Sequence, residues 1–248
     1  MLLSIYSVLS TPLSILGSIY YYLKKGDSKV LERWGFSEPT IHNALWFHAS
    51  SMGEVNGLIT LIRRIKESYP AQRLFITTST RTALERVRNS NIECRIVPLD
   101  NPFAINRFLK SNKPAALIIT ETEIWPNTIR LCQSHNIPVG IINGRISEGT
   151  SKSLRSIGRE FRRLMENLTF VCPVDLESSA RYQNLGVSKD KIAICGNSKY
   201  DLKPSINDPG VRTELKAALI GEMYKVCIFG SVHPDECSTI MPAIKQLL

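Results

Sequence analysis

Short apolar stretches rich in β-branched and aromatic residues recur along the chain from residue 44 onwards. They lie at 44–48, 74–78, 94–97, 115–120, 137–142, 169–172, 191–195 and 225–230. Stretches with apolar residues at helical spacing separate most of them, at 55–69, 82–87, 102–110, 126–134, 151–166 and 176–185. This alternation of strand and helix predicts an α/β protein with a mainly parallel sheet.

The pattern changes near the C-terminal end. Residues 198–210 hold two prolines, one glycine and few large apolar side chains, which predicts a linker. A predicted helix near 211–221, the stretch at 225–230 and a helix from about 235 follow, and one strand with two helices cannot bury a sheet face alone. We expect a helix and linker at 1–35, a sheet domain at 36–200, and a linker with an incomplete second domain at 201–248.

The N-terminal 23 residues carry no charged side chain, which is about the length that crosses a bilayer core. Lysines at 24 and 25 follow the tyrosines at 20–22, which predicts a cytoplasmic location for the rest of the chain and an aromatic belt at the interface. Hydroxyl residues also recur at helical spacing, opposite a leucine-rich face: Ser4, Ser7, Thr11, Ser14 and Ser18. The pattern predicts membrane attachment, and leaves open a spanning, an in-plane or a protein-packed helix.

The charge balance of +9 favours an anionic partner, either nucleic acid, an acidic membrane or a phosphorylated ligand, although a basic solvated surface gives the same balance. Within the predicted helix at 151–166, Lys152, Arg155, Arg159 and Arg162 form a basic stripe. Such a stripe suits an anionic membrane or a phosphorylated lipid, and equally a solvated surface helix. The cysteines lack metal-site spacing, so we do not expect a metal site. No zinc-finger spacing or aromatic-rich RNA-binding signature is present, which disfavours nucleic-acid binding. No GxGxxG follows the first predicted strand, which disfavours a nicotinamide or flavin oxidoreductase.

Polar residues gather directly after four of the predicted strands. They form the segments HASSMGE at 48–54, TTSTRT at 77–82, ETEIWPN at 121–127 and NGRIS at 143–147. In an open parallel sheet, ligands bind beyond the carboxyl ends of the strands. The sequence therefore predicts a site at this edge, with the hydroxyls at 77–82 beside a helix start that suits a phosphate or carboxylate.

Glu54 has two interpretations that the sequence alone supports about equally. A carboxylate in a cleft can take a proton from an attacking hydroxyl, and Gly53 permits close approach of a ligand. Alternatively, Glu54 only complements a helix dipole and Ser51 is only an N-cap. Glu121 and Glu123 alternate along an extended segment and are expected to face opposite ways, whereas His48 is expected to be a hydrogen-bonded core residue without a catalytic role.

Together these segments resemble the Kdo transferases (3-deoxy-D-manno-octulosonic acid transferases), lipid A-modifying enzymes of Gram-negative bacteria. The resemblance rests on the N-terminal apolar anchor and on nine further segments, at 33–35, 48–54, 77–83, 98–102, 121–127, 143–147, 180–187, 196–201 and 230–236. It runs through nearly all of the chain, and ETEIWPN combined with the Gly-Glu pair at 53–54 is its most specific part.

The resemblance implies a GT-B fold, with two Rossmann-like domains facing each other across a cleft and the second one truncated here. It implies an inverting, metal-independent transfer of Kdo from CMP-Kdo to a lipid A precursor at the cytoplasmic face of the inner membrane, without a further cofactor. Glu54 corresponds to the general base and Glu121 to a second essential carboxylate. Substrate contacts are implied at Ser51, Gly53, Thr78, Ser79, Thr80, Arg145, Lys199, Ser231 and His233. A non-catalytic module that binds lipid A or an anionic membrane is the second hypothesis.

Overall fold

The computed structural model describes residues 2–25, 29–36, 41–201, 230, 232–233 and 235–247. The chain divides into two compact units, Met1–Lys203 and Pro204–Leu248. The first unit contains six parallel strands: β1 Leu45–His48, β2 Leu74–Thr78, β3 Cys94–Ile96, β4 Ala116–Thr120, β5 Val139–Gly144 and β6 Phe170–Pro173. Their spatial order is β3-β2-β1-β4-β5-β6, which is the Rossmann order, so the predicted parallel α/β sheet is confirmed.

Helices connect the strands and cover the sheet. They are α1 Leu2–Lys25, α2 Val30–Arg33, α3 Met52–Ser68, α4 Arg81–Arg88, α5 Pro102–Asn112, α6 Pro126–Ser134, α7 Glu148–Ser156, α8 Arg159–Glu166 and α9 Leu176–Asn184. Five of them begin at a polar side chain that accepts a hydrogen bond from a first-turn N–H group, namely α3, α4, α5, α7 and α9. Because these caps satisfy donors that the helix itself leaves free, they determine where these five helices start.

The sheet has an apolar core on each face, because successive strand residues point to opposite sides. On one face, Trp46 packs against Phe75 and Phe108, with ring centroids 6.2 and 4.7 Å away. On the other face, Phe47 joins a cluster with Leu58 and further buried residues of α3 and β2. Burial on both sides explains why the strands are nearly continuous apolar runs rather than alternating ones.

Three predicted features differ in the structure. Residues 191–195 do not form a strand, since only an isolated bridge from Ile192 to Val171 extends the sheet there. The predicted helix at 151–166 divides into α7 and α8 at Gly158, whose φ of +95° favours glycine, so the basic stripe lies on two helices. The predicted linker begins with a 3₁₀ turn, Ser198–Asp201, that packs against α3.

The structure describes only part of the second unit. Its helix α10 spans Cys237–Leu247, which agrees with the helix predicted from about 235. The rest of the predicted linker, the helix predicted at 211–221 and all but the last residue of the strand predicted at 225–230 lie outside the described residues.

The long helix α1 packs against α5 and α8 of the first unit. Its residues 2–20 are apolar and long enough to cross a membrane, judged by length and composition alone.

Candidate active site

The two central strands, β1 and β4, end side by side at the point where the strand order reverses. The chain runs from β1 outward to β3 on one side, and then returns to β4 and continues to β6 on the other. Ligands of open α/β sheets bind at such a switch point, beyond the carboxyl ends of the strands. Glu54 lies in the first turn of α3, after β1, and Glu121 directly follows β4. The fold therefore brings the two predicted catalytic segments to neighbouring strand ends.

Glu54 is held by a network at the start of α3. Ser51 Oγ donates to Glu54 Oε1 at 2.7 Å, the Ser50 N–H donates to Glu54 Oε2 at 2.8 Å, and the Glu54 N–H donates to Ser51 Oγ at 3.3 Å. This is a variant of the capping box, in which the glutamate side chain reaches back to the N–H of Ser50 rather than to that of the N-cap residue. Ser51 is therefore the N-cap of α3, as one of the two interpretations expected. Only 7% of Glu54 is exposed. Each carboxylate oxygen nevertheless keeps a further lone pair for a ligand hydroxyl.

Glu121 is paired with Lys199, a residue from the 3₁₀ turn after the sheet. Lys199 Nζ lies 2.6 Å from Glu121 Oε1, and 3.8 Å from the place where a Cβ on Gly53 would be. Glu121 has a left-handed φ of 64°, which is uncommon for a residue other than glycine and costs about 1–3 kcal/mol. The structure therefore brings together Gly53, Glu121 and Lys199, three of the predicted site residues.

Asn143 and Ser198 complete this cluster, and the sequence analysis did not single them out. Asn143 Nδ2 donates to Glu121 Oε1 at 3.4 Å, and the Ser198 N–H donates to Asn143 Oδ1 at 3.2 Å. Asn143 has a φ of 53°, and the ladder between β5 and β6 shifts register there. The Asn-Gly pair at 143–144 was the available signal, because asparagine tolerates the left-handed region.

Glu123 lies close enough to Glu54 and Glu121 to be influenced by both. Burial raises the pKa of the Glu123 carboxyl, and the negative charge of Glu54 raises it further. The prediction that Glu121 and Glu123 face opposite ways assumed an extended chain. The left-handed backbone at Glu121 breaks that alternation, so the assumption was wrong.

The segment at 77–82 contacts the start of α3 through one pair of serines. Ser50 Oγ donates to Ser79 Oγ at 2.6 Å, and the Ser79 N–H donates to Ser50 O at 3.2 Å. Thr80 caps α4, accepting from the N–H of residue 83 at 3.2 Å. Thr78 is buried and its hydroxyl donates to Thr80 O at 3.4 Å, so Thr78 supports the loop from inside.

His48 lies buried beneath the site, as expected, and orients Trp125. The Trp125 indole N–H donates to His48 Nε2 at 3.4 Å. Because an indole nitrogen only donates, the proton of the neutral imidazole is on Nδ1, which donates to Thr77 Oγ1 at 3.0 Å. Burial lowers the pKa of His48 to about 4 and keeps it uncharged at neutral pH.

The remaining predicted site residues are more peripheral or lie elsewhere. Arg145 is exposed after β5, and its carbonyl oxygen accepts from the Thr122 hydroxyl. His233 is exposed in the second unit, where its N–H donates to Glu236 Oε2 at 2.8 Å, and Ser231 lies outside the described residues. No group of three or more His, Cys, Asp or Glu side chains suited to a metal ion occurs in the part of the chain that the structure describes.

Comparison with known proteins identifies a family. The sequence profile of the 3-deoxy-D-manno-octulosonic-acid transferases matches residues 28–202. The transferase of that name from Haemophilus influenzae is 32% identical over 230 residues, covering 89% of this chain and 53% of that protein. A probable mitochondrial 3-deoxy-D-manno-octulosonic acid transferase of Arabidopsis thaliana is 31% identical over 211 residues, covering 82% of this chain and 47% of that protein. The chain thus spans about half the length of the curated relatives that it matches.

Solved structures support the fold. The UDP-GlcNAc 2-epimerase of Methanocaldococcus jannaschii superposes with a TM-score of 0.51 at 12% identity, covering 73% of this chain and 54% of that chain. The HepE protein of Anabaena, in complex with UDP-glucose, gives a TM-score of 0.53 at 10% identity and covers 71% of this chain and 49% of that one. At such low identity the likeness concerns the fold alone, and it confirms the predicted GT-B type. Given the profile match over residues 28–202, the chain belongs to the 3-deoxy-D-manno-octulosonic-acid (Kdo) transferase family.

Proposed function

We propose that the whole protein is an inverting glycosyltransferase that moves Kdo from CMP-Kdo to a lipid A precursor in lipopolysaccharide biosynthesis. The first unit would bind the acceptor and the second domain would bind CMP-Kdo. The transfer would need no metal, as the family resemblance implies. The observation that carries the proposal is the Glu121–Lys199 pair beside Gly53, one residue before Glu54, at the switch point of a Rossmann sheet from this family.

Glu54 is the proposed general base. Its carboxylate would take the proton of an acceptor sugar hydroxyl while that oxygen forms a bond to the anomeric carbon of Kdo. The bond from this carbon to CMP breaks on the opposite face, CMP leaves with the electron pair, and the configuration inverts. The two donors from Ser50 and Ser51 hold the carboxylate in one orientation before substrate arrives, which is the preorganisation that a base needs.

Glu121 and Lys199 are proposed to position the acceptor rather than to transfer the proton. Their ion pair lies beside Gly53, one residue before the proposed base. A sugar hydroxyl can accept from the ammonium group and donate to the carboxylate, so the pair suits recognition of a sugar ring. Ser51, Thr80, Ser79 and Arg145 are proposed as further acceptor contacts, with Thr78 supporting their loop. Lys199, Ser231 and His233 are proposed substrate contacts at or beyond the end of the first unit.

The charge of the chain supports a phosphorylated lipid acceptor at a membrane. The formal net charge is +9, and a basic surface attracts both lipid phosphates and the anionic inner leaflet. We propose that the protein is located at the cytoplasmic face of the inner membrane. In this proposal residues 1–35 attach the chain to the membrane, residues 36–200 bind the acceptor, and residues 201–248 begin the donor-binding domain.

A second candidate is a non-catalytic module that binds lipid A or an anionic membrane. The observation in its favour is the capping box, because the helix start occupies both oxygens of Glu54. One assay separates the two candidates. The protein, with whatever coding sequence follows residue 248, is incubated with CMP-Kdo and a lipid A precursor, and the lipid is analysed by mass spectrometry. Addition of Kdo supports the transferase, whereas salt-sensitive lipid binding without addition supports the module.

A further inference from the structure

Helix α1 has two faces with different surroundings. The inward face is buried or half-buried and is mostly hydroxyl-bearing, formed by Leu3, Ser7, Ser10, Thr11, Ser14 and Ser18. The opposite face, here called the apolar face, consists of Ile5, Val8, Leu9, Leu16, Ile19 and Leu23, which are each 45–78% exposed. The helix therefore turns its polar side toward the protein and its apolar side outward. This is the reverse of a helix on a water-soluble surface.

The inward hydroxyls make specific hydrogen bonds to the folded domain. The Ser7 hydroxyl donates to Asn127 Oδ1, Asn127 Nδ2 donates to Ser10 Oγ at 3.2 Å, and the Trp34 indole N–H donates to Ser18 Oγ at 3.0 Å. Tyr6 on the same helix donates from its hydroxyl to an Asp100 carboxylate oxygen at 2.8 Å.

These bonds fix the course of α1 along the domain. Those of Ser7 and Ser18 are separated by eleven residues, so α1 is tied down over about 16 Å of its length at 1.5 Å per residue. If α1 crossed the bilayer, either the polar partners of these hydroxyls would enter the hydrocarbon core with it or the hydrogen bonds would break. Breaking them would leave unpaired polar groups in hydrocarbon, which costs free energy.

We propose that α1 lies in the plane of the membrane surface, docked on the domain through its hydroxyl face, with its apolar face immersed in one leaflet. The proposed binding partner is an anionic phospholipid bilayer. This inference concerns how the chain meets the membrane and does not depend on the proposed catalytic step.

The folded domain also exposes aromatic and aliphatic side chains near α1. Leu31, Phe36 and Phe103 are 66%, 51% and 52% exposed. They lie beside the C-terminal half of α1, because Trp34, which bonds to Ser18, also contacts Phe103 edge-on at 6.2 Å. The Arg107 guanidinium lies 3.7 Å from the Phe36 ring centroid and 4.4 Å from that of Phe103. Phenylalanine and leucine side chains beside basic groups are the composition of surfaces that bind in the plane of the membrane interface.

Positive charge also flanks the N-terminal half of α1. A cavity of about 470 Å³ opens between α1, α6 and α8, and Arg130 and Arg163 line it together with Ser4, Ser7 and Glu160. The two guanidinium groups outnumber the single carboxylate, so the cavity favours an anionic group. Basic pockets next to membrane helices bind phospholipid headgroups. Charge thus supports a lipid surface as the occupant rather than a second protein.

The test is a depth profile in vesicles of phosphatidylethanolamine and phosphatidylglycerol. Ile5→Cys, Leu9→Cys and Leu16→Cys each carry a fluorophore on the apolar face, and Ser14→Cys is the matched control on the inward face. The native cysteines are replaced by alanine, and each variant is first shown to melt like the alanine background. Quenching by lipids that carry a nitroxide at different acyl positions then gives the depth of each label.

An in-plane helix predicts equal, shallow depths at positions 5, 9 and 16, and at least fivefold weaker quenching at 14. A spanning helix predicts depths that change by about 1.5 Å per residue along the helix axis, so that positions 9 and 14 lie deepest, near the bilayer centre, and positions 5 and 16 are shallower, with no contrast between the two faces. That result, or an absence of quenching at every position, would overturn the proposal. If the whole protein shows the in-plane profile but transfers no Kdo, the proposed function is refuted and this inference stands.

Discussion

The capping box around Glu54 makes it possible to separate a structural role from a catalytic one with two substitutions. In Glu54→Gln, the side-chain amide oxygen can still accept from the Ser50 N–H. The amide NH₂ can donate to Ser51 Oγ once the Ser51 hydroxyl hydrogen has rotated away. Glutamine is an accepted residue at this position of a capping box. The variant should therefore unfold with nearly the free energy of the wild type. Glu54→Ala removes both contacts and should lose about 0.5–2 kcal/mol of stability.

Activity should respond differently from stability. An amide cannot take a proton, so Glu54→Gln should lose the contribution of general base catalysis, about 10²–10⁴-fold in kcat. This corresponds to about 3–5 kcal/mol of transition-state stabilisation. Kdo transfer to a lipid A precursor gives the rate, and urea unfolding of the same preparations gives the stability. Wild-type turnover in a stable Glu54→Gln protein would show that the carboxylate only caps the helix.

Further predictions concern the surroundings of the site. Lys199→Met should lower transfer about 10- to 100-fold by misplacing the acceptor, while unfolding changes by about 1 kcal/mol or less, because the ion pair with Glu121 is partly exposed. Gly35→Ala should cost about 2 kcal/mol or more in thermal unfolding, since φ is +81° and the new Cβ would lie 2.2 Å from a carbonyl oxygen, whereas Gly149→Ala, with nothing within 4 Å, should be nearly neutral. The pKa of His48 is lowered from 6.5 to about 4, so between pH 6.5 and pH 4 the unfolded state binds more protons than the folded state. The free energy of unfolding should therefore be unaffected by His48 above pH 6.5 and should fall by up to about 3 kcal/mol as the pH drops from 6.5 through 4. The substitution His48→Asn should reduce this loss, as measured by urea titrations at each pH.

The sheet was predictable because its strands are buried on both faces. Apolar runs such as 74–78 and 115–120 need no tertiary information to be recognised, and the helix starts follow from caps such as Ser51 and Thr80. The run at 191–195 has the same composition but lies beyond the edge strand β6, where a partner is available on one side only. Sequence composition does not distinguish these two situations.

The site was predictable in its segments and less so in its contacts. The rule that ligands bind at strand ends placed Glu54 and Glu121 at neighbouring positions. The ion pair of Glu121 with Lys199 joins residues 78 positions apart, and it depends on the left-handed backbone at Glu121. Neither feature has a local sequence signal, because glutamate has no preference for that backbone region. Helix α1 is similar: the hydroxyl face was visible in the sequence, but its partners Asn127 and Trp34 were not.

In the proposed mechanism, the Glu54 carboxylate receives the proton of the acceptor hydroxyl. The most direct measurement is a structure of the whole protein carrying Glu54→Gln, with a lipid A precursor and CMP bound. We predict an acceptor sugar oxygen about 2.6–3.2 Å from the side-chain amide of residue 54, close to the Glu121–Lys199 pair. An acceptor bound at the switch point with its reactive hydroxyl facing a different side chain would contradict it.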